Sequence, residues 1–189
     1  MNAGLMDVQR STLLVIDVQE RLLPAMDGQK VLEGACAFLC AVATECAVPV
    51  IISEQYPKGL GATVPAISEA AGNAKIIAKT AFSAAAEPKI LDRLRKLRSD
   101  KRRDQIVVCG IEAHVCVLQS ALELRAAGFD VFVAADAVSS RRIGSRDLAL
   151  SRLGHAGIGL VSTEMVAFEW IGDAKSKHFK PISAMVRDR

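Results

Sequence analysis

The apolar positions of this chain fall into two alternating kinds of run. Short β-branched stretches, nearly continuous in apolar residues, read as strands: "STLLVIDV" (11–18), "VPVIISEQ" (48–55), "AKIIAKT" (74–80), "QIVVCG" (105–110), "FDVFVAADA" (129–137) and "IGLVST" (158–163). Between them lie longer segments whose apolar residues recur at helical spacing: 28–47, 87–98 with a proline near its first turn, the stretch after Ala113, 145–157 closed by glycine, and a final helix over 163–171. Residues 56–65, "YPKGLGATVP", read as a Gly/Pro loop. Strands that lack polar alternation are buried on both faces. Alternating β and α units then imply a mostly parallel six-stranded sheet with right-handed crossovers. The predicted fold is a doubly wound, three-layer αβα sandwich. No internal repeat or linker interrupts the pattern, so residues 1–189 read as one domain.

Composition narrows the function classes. Hydrophobic residues make up 51% of 189, enough for a core without disulfides or structural metal. Lysine and arginine number 24 against 21 acids, a net charge of +3, which is too balanced to imply nucleic acid or a membrane surface. The dense basic stretch "RLRKLRSDKRRD" (93–104) has no interleaved aromatics and reads as the solvated end of a helix and a loop. No apolar run approaches the roughly 20 residues of a membrane span. The N-terminus lacks the pattern of an export signal. Five cysteines (36, 40, 46, 109, 116) without CxxC spacing then read as free thiols in a reducing cytoplasm.

In an open α/β sheet, sites form beyond the carboxyl ends of the strands, where strand order reverses. Three reactive side chains fall at such ends. Asp17 closes the first strand, Lys79 the third, and Cys116 follows the fourth. Each has a structural reading as well: a turn-forming aspartate, a solvated lysine, a core cysteine. Together they suit acyl transfer. A thiol is a nucleophile once deprotonated, and a helix N-terminus and a nearby ammonium both favour the thiolate. Asp17 is placed to take the proton and return it to a leaving group, with Lys79 holding acid and thiolate in register.

These blocks carry a family resemblance. "LLVIDVQERL" with Asp17, "KTAFSA" with Lys79, "GIEAHVCVLQSALELRAAGFDV" with Cys116 and "VAADAVSSR" stand in an order and spacing similar to the isochorismatase-like cysteine hydrolases. The resemblance runs from "LLVIDVQ" to about "FEWIGDA". It implies an Asp–Lys–Cys catalytic triad at Asp17, Lys79 and Cys116. It also implies a cis peptide at Ile111–Glu112 and an oxyanion hole built from the Cys116 N–H and a neighbour. Family members are commonly homo-oligomers, so a dimer or tetramer is implied.

Departures from the family matter equally. Nicotinamidases in it carry an Asp/His metal site after the second strand. Here that region reads "SEQYPKGLGATVPAI", without histidine, and His114, His155 and His178 are far apart in sequence. No metal and no cofactor is therefore expected, and nicotinamide is disfavoured as substrate. Isochorismatases proper cleave a vinyl ether without a cysteine nucleophile, so Cys116 disfavours that chemistry too. What remains is a metal-free hydrolase of a small amide-like molecule. Candidate substrate contacts are Gln19, Gln55, Tyr56, Phe82, Glu112, Ala113 and His114, each with a packing or turn role as the alternative. Ser139, Ser140 and Arg141 are expected to cap the next helix or to lie at a subunit contact. Trp170 is expected in packing or an oligomer contact. Two other functions stay open: a catalytically silent binding or scaffold protein, and a thiol sensor pairing Cys116 with another cysteine.

Overall fold

In the computed structural model, which describes residues 4–188, six strands form one sheet. They are β1 (Ser11–Ile16), β2 (Val50–Gln55), β3 (Lys75–Lys79), β4 (Gln105–Ile111), β5 (Asp130–Ser139) and β6 (Gly159–Val161). Their order is β3-β2-β1-β4-β5-β6, and every neighbouring pair is parallel. The helices are α1 (Gln29–Glu45), α2 (Pro57–Leu60), α3 (Pro65–Ala70), α4 (Pro88–Lys101), α5 (Leu118–Ala126), α6 (Ile143–His155), α7 (Thr163–Ile171) and α8 (Phe179–Arg187). The chain is a single doubly wound domain, and strand order reverses between β1 and β4, which pair from Ser11↔Gln105 to Ile16↔Gly110.

The period of two along β1 builds the two halves of the core. Leu13 and Val15 pack into the layer of α1, α3, α7 and α8; Leu14 and Ile16 pack into the layer of α4, α5 and α6. All six residues of β1 are buried, as are all seven of β4. Prolines open α2, α3 and α4, at positions where a missing N–H costs nothing. Ser162 caps α7 by accepting the Met165 N–H at 3.1 Å. Trp170, on α7, is buried and donates from Nε1 to Ser11 Oγ at 3.0 Å, so it serves packing.

Several expectations are corrected. The loop expected over 56–65 contains α2, and α3 follows it; both begin with X-Pro steps that read from sequence as turn signals. Helix α7 is not the last, because α8 follows and seats Ile182 in the core. The helix after Ala113 begins as a π-helical turn, Ala113–Val117, so Cys116 lies inside that turn rather than at the start of α5. The basic stretch 93–104 is only partly solvated: Arg103 is buried and donates to the Val8 and Ser11 carbonyls, and Asp104 receives Arg10 Nε at 2.8 Å and Nη2 at 2.7 Å. Cys36, Cys40, Cys46 and Cys109 lie in the layer opposite Cys116, with the sheet between. That separation removes the thiol sensor that would pair Cys116 with one of them.

Gly110 shows why β1 and β4 can meet so closely at the switch point. Its φ is +115°, and a Cβ built there would stand 2.1 Å from the Ile16 carbonyl oxygen, a backbone atom that cannot move aside. Gly34, in the middle of α1, has nothing within 4 Å of the same construction. Gly110→Ala should therefore destabilise the fold by about 3 kcal/mol or more. Gly34→Ala should stabilise it by about 0.5–1 kcal/mol. Urea denaturation of the two variants beside wild type checks both signs.

Candidate active site

Asp17 follows the last residue of β1 in the left-handed conformation, φ 54°, which short polar side chains tolerate better than most. The turn aims its carboxylate across the strand ends, where it is fully buried. Oδ1 accepts from Ser53 Oγ on β2 at 2.7 Å, and Oδ2 accepts from Lys79 Nζ at 2.7 Å. Lys79 closes β3, two strands away, and its long side chain passes the end of β2 to reach the acid. The same ammonium donates to Gln55 Oε1 at 2.7 Å and to the carbonyls of Phe82 at 3.0 Å and Ala81 at 3.2 Å. Neither member of the ion pair has any side-chain exposure. Buried charges of this kind persist only when paired and hydrogen-bonded.

Cys116 comes to the same place from the other side. The Ile111–Glu112 peptide is cis, and the π-helical turn that follows sets Cys116 among the residues packed behind β1 and β4. Burial pushes its thiol up to about 12, helped by the negative charge of Asp17 and opposed by the positive charge of Lys79. A nearby ammonium does favour the thiolate, but desolvation and the carboxylate outweigh it. The resting site therefore holds an ionised Asp17–Lys79 pair beside a protonated thiol.

The remaining candidates separate clearly. Gln55 belongs to the cluster through Lys79, and its Nε2 donates to the Thr80 carbonyl at 2.7 Å. Gln19, expected against substrate, is fully buried, and both ends of its amide serve the rim: Nε2 donates to the Gly61 and Gln55 carbonyls, and Oε1 accepts the Gln55 N–H. Tyr56 and Phe82 present large exposed rings next to the lysine segment, 55% and 56% accessible. Ala113 is fully buried. Glu112 is buried too, and its Oε2 accepts from the Arg141 N–H at 3.0 Å and from Arg141 Nε at 3.1 Å. His114 Nδ1 lies 2.9 Å from Ser140 Oγ. Arg141 and Ser140 thus tie the end of β5 to the turn carrying Cys116. They do not cap α6, whose N-cap position is Arg142 without a side-chain cap bond.

Sequence reading missed Ser53, although its signal was present as the one small polar residue inside the apolar part of "VPVIISEQ". The Ala81 and Phe82 carbonyls had no signal, since any residue supplies one. The metal centre of the nicotinamidases does not fit here. Glu54, the acid near the end of β2, accepts at Oε1 from the Thr63 N–H and hydroxyl, at 2.7 and 2.8 Å. Among the described residues, no group of three or more His, Cys, Asp or Glu side chains could hold a metal ion.

Fold and site define the class: a hydrolase of the doubly wound α/β type, with a buried acid, amine and thiol at its switch point. Residues 11–165 match the isochorismatase domain model, and the chain belongs to the isochorismatase family. Isochorismatase domain-containing protein 2 of Xenopus laevis is 36% identical over 185 residues, which span 98% of this chain and 87% of that protein. Isochorismatase family protein 1A of Dictyostelium discoideum is 34% identical over 191 residues, or 100% and 91% of the two chains. Among solved structures, MAR1 ribonuclease from Caenorhabditis elegans superposes with a TM-score of 0.90 at 34% identity, covering 97% of this chain and 93% of its own. The Escherichia coli YcaC gene product, described as an octameric hydrolase of unknown specificity, shares the fold with a TM-score of 0.86 at 22% identity, covering 100% and 97%.

The charges around Cys116 give a signed prediction. Wild-type labelling by iodoacetamide should keep rising with pH from about 8 to beyond 10, because the thiol stays protonated well above its ordinary range. Asp17→Asn removes a charge that raises the thiol, so labelling at pH 9 should accelerate by about tenfold or more. Lys79→Ala removes a charge that lowers it, so labelling should slow. Peptide mass spectrometry resolves Cys116 from the other four thiols; equal rates in all three proteins would refute the assignment of charges.

Proposed function

We propose that the protein is a cysteine hydrolase that cleaves a small amide-like substrate through a thioester on Cys116. The carrying observation is a fully buried Asp17–Lys79 ion pair at the same strand ends as a buried thiol whose titration both charges influence. As the sulfur attacks the substrate carbonyl carbon, its proton passes to Asp17 and the carbonyl oxygen becomes an oxyanion. The N–H of Cys116 and a neighbour in the same turn accept that charge. Collapse of the tetrahedral intermediate breaks the C–N bond, and Asp17 gives its proton to the departing amine. Water then adds to the thioester, Asp17 takes its proton, and the acid product leaves as the thiol is restored. Lys79 holds Asp17 in place through its 2.7 Å ion pair and offsets the negative charge that moves between sulfur and oxygen.

The reading of a small substrate is supported by the burial of all three groups: 0% for Asp17, 2% for Lys79 and 5% for Cys116. The exposed rings of Tyr56 and Phe82 beside Lys79 suit a compact, partly apolar molecule. The C. elegans relative is named a ribonuclease, so RNA is the competing substrate class for this chain. A carbonyl is the better match to a thiol nucleophile, because sulfur attack on a phosphodiester has no place in the proton path described here. Assembly into a homo-oligomer is part of the same proposal, supported by the exposed apolar side chains Ile143 and Leu148 on α6.

The test uses a panel of primary amides, carbamoyl compounds and an RNA oligonucleotide, with ammonia release and RNA cleavage as readouts. Wild type should release ammonia from at least one small substrate. Acid-quenched samples should carry the acyl group on the Cys116 peptide. Cys116→Ala should lose about 10³-fold or more of that activity, and Asp17→Asn a comparable amount. Hydrolysis that survives Cys116→Ala would sink the mechanism. A folded protein that turns over nothing in the panel and retains a specific protein partner would establish the scaffold reading instead.

A further inference from the structure

Ser120 lies four residues beyond Cys116, on α5, and is fully buried. Its hydroxyl donates to the Cys116 carbonyl oxygen at 2.6 Å and accepts the Ala84 N–H at 2.7 Å. The first bond is a familiar one, since helical serines return to the carbonyl four residues back. The second reaches a different segment. Ala84 opens the short 3-10 turn Ala84–Ala86 and stands two residues after Phe82. The carbonyls of Phe82 and Ala81 are two of the groups that hold Lys79 Nζ. One buried hydroxyl therefore joins the turn that carries the nucleophile to the segment that cages the ammonium.

We propose that Ser120 is a positioning residue for this site: its hydroxyl holds the lysine segment and the Cys116 turn in one register, and so fixes Lys79 Nζ against the sulfur. Ser120 touches neither substrate nor the reacting atoms. Its effect passes through Ala84 to the lysine cage and through the Cys116 carbonyl to the nucleophile turn. Losing the hydroxyl frees both at once, and small displacements of catalytic groups are costly. The proposal rests on the reading that Asp17, Lys79 and Cys116 act as one site.

The experiment is pulse labelling of Cys116 with iodoacetamide at about pH 9, well below the thiol's midpoint, where the rate follows the thiolate fraction. The proteins are wild type, Lys79→Ala, Ser120→Ala and the double variant Ser120→Ala/Ala84→Pro. Ser120→Ala strands the buried Ala84 N–H, so its denaturation midpoint should fall. The double variant removes the stranded donor. Proline is accommodated at the first position of a helical turn, after an extended residue such as Ser83 with ψ 129°, and its ring takes the space of the lost hydroxyl. Much of the stability should return, while the link stays broken. Labelling of Cys116 should slow about threefold or more in both Ser120 variants, in the direction of Lys79→Ala. Slower labelling in Lys79→Ala with the wild-type rate in both Ser120 variants overturns the proposal. A double variant that regains both stability and the wild-type rate also overturns it, because packing alone would then explain the serine. An unchanged rate in Lys79→Ala itself overturns the reading of the site, and this proposal with it.

Discussion

The arrangement depends on one ion pair that has no access to water. Asp17 and Lys79 meet at 2.7 Å with their side chains wholly buried, at the ends of strands that are not neighbours. Taking two such charges out of water costs several kcal/mol for each, and their attraction offsets this only if the remaining lone pairs and protons are also satisfied. The protein meets that condition on both sides. Ser53 occupies the second carboxylate oxygen, and Gln55 with two backbone carbonyls surrounds the ammonium. Much of the local backbone follows from it. The left-handed turn at Asp17 aims the acid sideways, and the segment after β3 folds back so that its carbonyls face the lysine.

The pair also explains why the thiol rests protonated. A lone ammonium would draw the proton off Cys116. An ammonium already matched to a carboxylate offers the sulfur little net positive charge, and burial then decides the outcome. The proton remains on sulfur, beside the acid that can accept it. This separates storage from reactivity. A resting thiolate is exposed to oxidants and alkylating agents at all times. A thiol that ionises only as it attacks is spared that chemistry.

How much of this was legible in the sequence depends on the kind of information each feature needs. The six-stranded, doubly wound parallel sheet was legible, because unbroken apolar runs alternating with helical spacing allow few other folds. Asp17 and Lys79 were legible as charges ending strands, and Cys116 as a thiol opening a helical segment after one. Helices α3 and α8 were not. The first hides behind a proline that reads as a turn, and the second packs only one fully buried residue, Ile182. Ser53 and Ser120 were not singled out, since buried serines resemble any others until their partners are known. The direction of the thiol shift was not legible for the same reason: sequence shows which charges can be near, but not that burial will outweigh them.

Fold and family leave the substrate open, and the structure shows where that freedom lies. Asp17 and Lys79 are fixed by strand ends and by bonds between buried atoms. The side chains with freedom to vary stand around them: Tyr56 and Phe82 on one side, and the Glu112–Arg141 pair on the other, where Arg141 is 62% exposed. A change at Phe82 alters what enters without touching the Lys79–Asp17 bond, because Phe82 contributes its carbonyl to the cage and its ring to the surface. One residue thus faces both ways, with its carbonyl on the buried ammonium and its side chain at the surface.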